Sequence, residues 1–277
     1  MTTLKTDHDR PTEVRVEDLH RSFGANHVLC GIDLEILRGE LIAVVGPSGC
    51  GKTVLVDHII GLLKPDRGRV LVANHDEPGG PLIDLTALDQ DAMDDIRRHW
   101  AVVFQRNALF TGTVYENVAL WLREVGGLSD DEIEPIVRSS IESVGLDYDR
   151  VAMTDRDDLS GGMAKRVAIA RAVAMDPYLI FYDEPTTGLD PEHASHIHEL
   201  IFATHHRPLK DGSARTSIVV THDKDLLARI EPRIVMLNKG RVFFNGSYSE
   251  FERSDSDLIK PYLALMPLLQ RRVPLEE

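Results

Sequence analysis

The stretch Gly46-Pro-Ser-Gly-Cys-Gly-Lys52-Thr53 constrains this chain more than any other. It fits the spacing G-x-x-x-x-G-K-[ST]. It follows an apolar run at 41–45 that reads as a buried parallel strand, and it opens a helix expected over about 51–62. Strand, glycine loop and helix in that order call for a parallel α/β sheet with the loop at a strand's carboxyl end. The residue types fit one chemistry. Gly46, Gly49 and Gly51 let backbone N–H groups curl around phosphate oxygens. The helix N-terminus adds the positive end of its dipole. Lys52 is placed for the β- and γ-phosphates of a nucleotide, and the Thr53 hydroxyl for Mg²⁺. Cys50 occupies a variable position and reads as a spectator thiol.

Around this loop the pattern alternates between strand and helix. Residues 1–12 are polar and expected to be mobile. Strands are expected at 14–19, 28–36 and 68–74, and a helix over about 87–98 precedes a strand at 101–104. Ile133, Ile136, Val137, Ile141 and Val144 recur at spacings of three and four, marking one helix face. Ser160 N-caps a second long helix reaching Met175. Strands return at 179–182 and 217–221, and a hairpin turns at Lys239-Gly240. The plan is a β-rich start, a parallel α/β core and a helical insert near 106–175.

Four expected strands end in a chemically useful residue. One runs into Gly46, a second into Gln105, a third into Asp183 and Glu184, and a fourth into His222. Ligands of parallel sheets bind beyond such ends, so these residues form one expected site. Asp183 suits a Mg²⁺ contact, directly or through water, and Glu184 is the expected base toward water. Gln105 offers a neutral carbonyl to Mg²⁺ and water, and His222 is placed to sense the γ-phosphate. Ser160, Gly161 and Gly162 open their helix, and a helix N-terminus makes a second anion-binding end.

Composition narrows the partners. The chain has 277 residues, enough for one large domain or two small ones, and 43% of them are apolar, enough for a core. Against 31 Lys and Arg stand 45 Asp and Glu, a net charge of −14, which speaks against nucleic acid and against non-specific adhesion to anionic lipid. Cys30 and Cys50 alone exclude a disulfide framework and suit a reducing compartment. No apolar run approaches the roughly 18 to 20 residues of a membrane span, so no transmembrane segment is expected.

Taken together the motifs resemble the ATPase subunit of an ABC transporter. The resemblance runs over about 13–250 and rests on Gly46 to Thr53 (Walker A), Gln105 (Q-loop), Leu159-Ser160-Gly161-Gly162-Met163 (signature), Asp183 and Glu184 (Walker B), Thr187-Gly188-Leu189-Asp190 (D-loop) and His222 (H-loop), in the family's order. It implies an α/β P-loop NTPase: a RecA-like core, an antiparallel β lobe and a helical signature subdomain at about 106–175. Residues 251–277 would be a C-terminal extension. The implied ligands are ATP and Mg²⁺. Gly46, Pro47, Ser48, Gly49, Cys50, Gly51, Lys52, Thr53 and Val54 would line the nucleotide, and Phe23 would stack on adenine. Thr53, Gln105 and Asp183 would serve the metal. Glu184, His222, Lys52 and Gln105 would serve catalysis. The family further implies a head-to-tail homodimer in which Ser160, Gly161, Gly162 and Met163 of one copy face the ATP of the other. It also implies membrane permease subunits and a peripheral position on the cytoplasmic face of the inner membrane.

The run from Leu159 to Pro177, then Phe181 to Pro191, looks most like the ATPases of MCE-type lipid transporters, among them the bacterial Mla phospholipid system and its plastid relatives. The stretch from Phe104 to Phe110 fits as well, with Asn107 where that group often has Gly. The likeness implies an MCE-domain lipid-binding partner. A small-solute importer, such as one for amino acids, and a soluble non-transport ABC ATPase are the alternatives.

Three weaker signals complete the reading. His193, His196, His198, His205 and His206 invite a metal, but Phe202 stands where H-E-x-x-H would need its second His, and a solvated helix face is expected. The acidic stretch from Asp155 to Asp158 reads as a solvated loop or as a coupling loop to the permease. The tail holds Leu258, Ile259, Tyr262, Leu263, Leu265, Met266, Leu268 and Leu269. A helix is expected over about 256–266, and its apolar face must dock on its own cassette or on a partner.

Overall fold

Residues 10–105 and 109–266 are described by a computed structural model. The mobile start expected for 1–12 lies outside the described residues except for 10–12, and Thr12 already belongs to a strand. Asn107, Leu268 and Leu269 lie outside them as well.

The chain begins with strands β1 (Thr12–Phe23), β2 (Asn26–Leu37) and β3 (Leu41–Val45). Helix α1 (Lys52–Ile59) follows the glycine loop. Strands β4 (Arg67–Val72) and β5 (Ile83–Asp84), helix α2 (Gln90–Arg97) and strand β6 (Trp100–Val103) come next. Four helices then run in succession: α3 (Val114–Glu124), α4 (Asp130–Ser143), α5 (Tyr148–Val151) and α6 (Gly161–Ala174). The chain returns through β7 (Leu179–Asp183), α7 (Pro191–His206), β8 (Thr216–Val220), α8 (Lys224–Ile230), β9 (Arg233–Asn238) and β10 (Arg241–Ser247). Two short helices, α9 (Tyr248–Glu252) and α10 (Ile259–Leu265), close the described part.

Two sheets organise these elements. The larger has six strands in the order β10-β9-β3-β8-β7-β6. Its pairs from β9 to β6 are parallel, and β10 joins antiparallel through the Lys239-Gly240 turn. Both turn residues have positive φ (48° and 72°), the conformation a tight hairpin requires. The smaller sheet, β2-β1-β4-β5, is antiparallel throughout. One apolar cluster fills the space between the two sheets and includes Leu55 and Ile59 of α1. A second joins α3, α4 and α6 to the other side of the large sheet, using the three-and-four stripe of Ile133, Val137 and Ile141. This is the expected architecture: a parallel α/β core, an antiparallel lobe and a helical insert between β6 and β7.

Boundaries differ where local chemistry overrides periodicity. Strand β1 continues past residue 19 through a bulge, where Asp18 takes φ 43° and the pairing shifts register. Helix α2 starts at Gln90 because Asp89 caps it, accepting from the Ala92 N–H at 3.0 Å. Helix α10 starts three residues later than expected, with Ser256 Oγ accepting from the Leu258 N–H at 3.3 Å.

The described part of the tail docks on its own chain. Ile259, Leu263 and Met266 are buried in a third apolar cluster with Val45, Ile234, Met236 and Phe251. Of the large apolar side chains on α10, Leu265 projects outward, 84% exposed.

One half-buried histidine ties fold stability to pH. His205, near the end of α7, contacts Ser217 Oγ through Nδ1 at 3.1 Å. Burial, with His206 and Arg215 nearby, pulls its pKa from 6.5 down to about 4. Above pH 6.5 the proton is absent from folded and unfolded chains alike. As pH falls from 6.5 toward 4, the unfolded chain binds a proton that the folded chain refuses, so stability declines across that window. His205→Asn should therefore lose less stability than the wild type in urea titrations between pH 7 and 4.5. Equal losses would contradict the assignment.

Candidate nucleotide site

The loop from Gly46 to Gly51 is held in a shape that requires glycine. Gly46 has φ 141°, and a Cβ there would collide with the Leu237 carbonyl oxygen and approach Cys50 Sγ to 2.8 Å. Gly51 has φ 104° and lies against Leu29 and the Val28 carbonyl. Pro47, Ser48, Gly49 and Thr53 are exposed, Lys52 and Val54 half-buried, and Cys50 buried. Lys52 Nζ folds back over the loop, donating to the Gly46 carbonyl at 2.9 Å and the Pro47 carbonyl at 3.3 Å. Burial pushes the Cys50 thiol above its ordinary range against the pull of Lys52, which suits an inert sulfur.

Strands β3, β8, β7 and β6 are adjacent and parallel, so their carboxyl ends share one edge. That edge brings Gly46, His222, Asp183, Glu184 and Gln105 together. Asp183 pairs with Val220, and the Glu184 N–H donates to the Val220 carbonyl at 2.9 Å, one step beyond the strand. Glu184 takes φ 47°, unusual for a residue with a side chain. Its Oε2 meets His222 Nδ1 at 2.7 Å; the carboxylate is 15% exposed and the imidazole 49%. Burial raises the Asp183 pKa, and the neighbouring Glu184 and Asp57 raise it further, against Lys165 and Lys52. Gln105 is exposed just past β6.

The Ser160 end of α6 is a capped, open helix start. Ser160 Oγ accepts from the Met163 N–H at 3.3 Å, and Ser160 and Gly161 are exposed. Gly162 is buried, because the His193 ring lies where a Cβ would stand. His193 Nδ1 in turn meets Asp190 Oδ2 at 2.6 Å. Phe23 sits at the tip of the β1–β2 hairpin, 47% exposed, with the Arg21 guanidinium 4.8 Å from its ring centre.

Three features were not anticipated. Lys165, 2% exposed, donates from Nζ to the Gln105 carbonyl at 2.8 Å and the Phe104 carbonyl at 3.2 Å, tying α6 to the strand end that carries Gln105. Its place on the buried stripe with Gly162 and Ile169 was the available signal. Asp57 of α1 enters the electrostatics of Asp183. The expected solvated face of α7 fails at His198, which is buried with Nε2 2.7 Å from Asp223 Oδ2; Thr186 donates to the same oxygen at 2.8 Å. That cluster ties the loop after Glu184 to the residue after His222. Among the described residues no group of His, Cys, Asp and Glu is arranged to hold a metal by itself.

A glycine phosphate loop on a parallel sheet, an acidic strand end beside it and a histidine on the next strand define a P-loop NTPase site. The comparisons agree. The ABC transporter family matches residues 29–187. The chloroplastic protein trigalactosyldiacylglycerol 3 of Arabidopsis thaliana is 33% identical over 94% of this chain and 75% of its own length. The energy-coupling factor transporter ATP-binding protein EcfA of Methanothermobacter thermautotrophicus is 36% identical over 89% of this chain and 74% of its own. A dimeric post-hydrolysis structure of the ATP-binding cassette MJ0796 with ADP and Pi superposes at a TM-score of 0.71, with 32% identity over 84% of this chain and 98% of that one. The chain belongs to the ABC transporter family, as an ATP-binding, ATP-hydrolysing subunit. Among the described residues no helix is long and apolar enough to cross a membrane.

The loop geometry makes a sharp prediction. Gly46→Ala should abolish nucleotide binding while the rest of the sheet folds, because neither φ 141° nor the Leu237 carbonyl tolerates a Cβ. Wild-type ATP affinity in that variant, measured by equilibrium titration, would show the loop to be more pliant than this.

Proposed function

We propose that residues 46–54 hold the phosphates of ATP and that Glu184 acts as general base toward the water that attacks the γ-phosphate. The contact of Glu184 with His222 at 2.7 Å, on the sheet edge that also carries Lys52, is the observation that carries this reading. His222 orients the carboxylate and offers a donor toward the γ-phosphate. Lys52 exchanges its two loop carbonyls for phosphate oxygens. Phe23 stacks on adenine from the hairpin tip.

Thr53, Gln105 and Asp183 would hold Mg²⁺. The chemistry of the site fits a divalent ion, since Asp183 is held up by burial and by two further carboxylates whose repulsion a cation would offset. Bound there, the ion would neutralise charge on the phosphate oxygens.

Residues 13–250 are taken as the ATPase domain, 106–175 as its helical subdomain and 251–277 as an extension. Two copies assemble head to tail, with Ser160 to Met163 of one facing the ATP of the other. The exposed cap at Ser160 supports this, as does the dimeric state of the relative with ADP and Pi. The subunit works peripherally at the cytoplasmic face of the inner membrane, bound to permease subunits. Its cargo is lipid, delivered with an MCE-domain partner, a reading supported by the relative that carries a galactolipid's name. A small-solute importer is the second reading, favoured by the 35% identity to a methionine import ATP-binding protein, MetN of Brucella abortus, over 84% of this chain.

Glu184→Gln should retain ATP while hydrolysis slows by orders of magnitude, and Lys52→Ala should lose nucleotide affinity. Normal turnover in Glu184→Gln refutes the base assignment. Mixing Ser160→Ala and Lys52→Ala copies should leave one competent composite site; its absence refutes the head-to-tail arrangement. Purification from membranes separates the cargo readings: an MCE-domain chain is expected to accompany the subunit, and a small-solute permease without one favours the importer.

A further inference from the structure

The region around the site holds one contact that neither the motifs nor the matched family segment includes. Tyr262, on α10, points its hydroxyl at the first residue of the glycine loop and accepts a hydrogen bond from the Gly46 N–H at 3.0 Å. That N–H is the first past the end of β3, whose parallel pairing stops at Val44 on one side and Val45 on the other. Gly46 is buried, the Leu237 carbonyl and Cys50 Sγ crowd the place a Cβ would take, and its N–H finds its partner in Tyr262. Without a partner it would be a buried, unsatisfied donor at the pivot of the loop.

The ring is held where this contact needs it. Tyr262 packs against the cluster of Val45, Ile234 and Met236, and its neighbours Ile259, Leu263 and Met266 are buried in the same cluster. Burial pushes the phenol up to about 12 against the pull of the Gly46 N–H, with Cys50 and Glu184 adding to the rise. The other polar group of Gly46 is taken by Lys52, whose Nζ donates to its carbonyl at 2.9 Å. Gly46 is thus clamped at both ends: its N–H by the tail, its carbonyl by the lysine that the loop presents to phosphate.

We propose that Tyr262 is a positioning residue for the phosphate-binding loop, and that the extension beyond residue 250 is thereby part of the nucleotide site of its own chain. The inference rests on the reading of residues 46–54 as the ATP phosphate site. Tyr262 touches no substrate; it acts by fixing Gly46 and, through it, the resting place of Lys52.

The test uses the full chain. Tyr262→Phe keeps the ring in its cluster and removes only the acceptor. It should raise the Kd for Mg-ATP about five-fold or more, as the loss of a hydrogen bond to a buried donor implies. Val137→Ala, in the core of α4, serves as a variant that destabilises without touching the loop. It should lower the melting temperature and leave the Kd unchanged. Lys52→Ala is run beside them. Wild-type affinity in Tyr262→Phe, with binding lost in Lys52→Ala, overturns the role of Tyr262 and leaves the loop reading intact. Equal weakening in Tyr262→Phe and Val137→Ala overturns it too, since the effect would then follow stability alone. Undiminished binding in Lys52→Ala overturns the loop reading and this inference with it.

Discussion

The parallel register of β7 on β8 sets the geometry of the whole carboxyl edge. Asp183 lies opposite Val220, and one further backbone bond, from the Glu184 N–H to the Val220 carbonyl, carries the pairing past the strand. That bond holds Glu184 in the left-handed region at φ 47° and brings its carboxylate to the imidazole that follows Val220 by two residues. A slip of one residue would turn every side chain of β7 to the opposite face, sending Asp183 away from Lys52 and Phe181 out of the inter-sheet core. The burial of both faces of the central strands is what forbids the slip. Burial of apolar surface in the core and placement of charges at the edge are therefore one constraint.

Charge at that edge is unbalanced by design of the packing. Burial raises the Asp183 pKa, Glu184 and Asp57 raise it further, and Lys165 and Lys52 pull the other way. Among the described residues neither lysine has an ion-pair partner at hydrogen-bonding distance. Each ammonium gives its bonds to backbone carbonyls, Lys52 to the loop and Lys165 to the segment that carries Gln105. For Lys165 the cost of burial shows as a lowered pKa, and the two carbonyls offset part of it. The cations thus shape the backbone on either side of the acidic strand end, while the Glu184 carboxylate goes to His222.

The fold was legible because its signals are local. The glycine loop needs a strand before it and a helix after it, and the stripe of Ile133, Val137 and Ile141 can bury only one face. Four strand ends could be read because each apolar run stops at a polar residue. What escaped the sequence depends on residues far apart in the chain. His198 reads as one of several histidines on a polar helix until Asp223, 25 residues later, arrives beneath it. Tyr262 reads as one more apolar anchor on a tail helix, and only the tertiary fold, bridging 216 positions, turns its hydroxyl toward Gly46. The bulge at Asp18 escaped for the opposite reason: it is local, but it breaks the period on which strand reading relies. The tail's apolar face showed that it must dock; which surface receives it is a property of the folded chain.

The imidazole of His193 resting on Gly162 has a mechanical consequence. Helices α6 and α7 begin at different places in the sequence, one within the helical insert and one after the acidic strand end, yet their first turns are in steric contact through a position too small for any other side chain. The ring is also latched to Asp190, the cap of its own helix. Tilting the insert by even a fraction of a helical turn would drive Gly162 into that ring and push on the cap. The two helix starts behave as meshed gear teeth: torque applied to the insert from outside reaches the backbone after Glu184 without passing through the nucleotide.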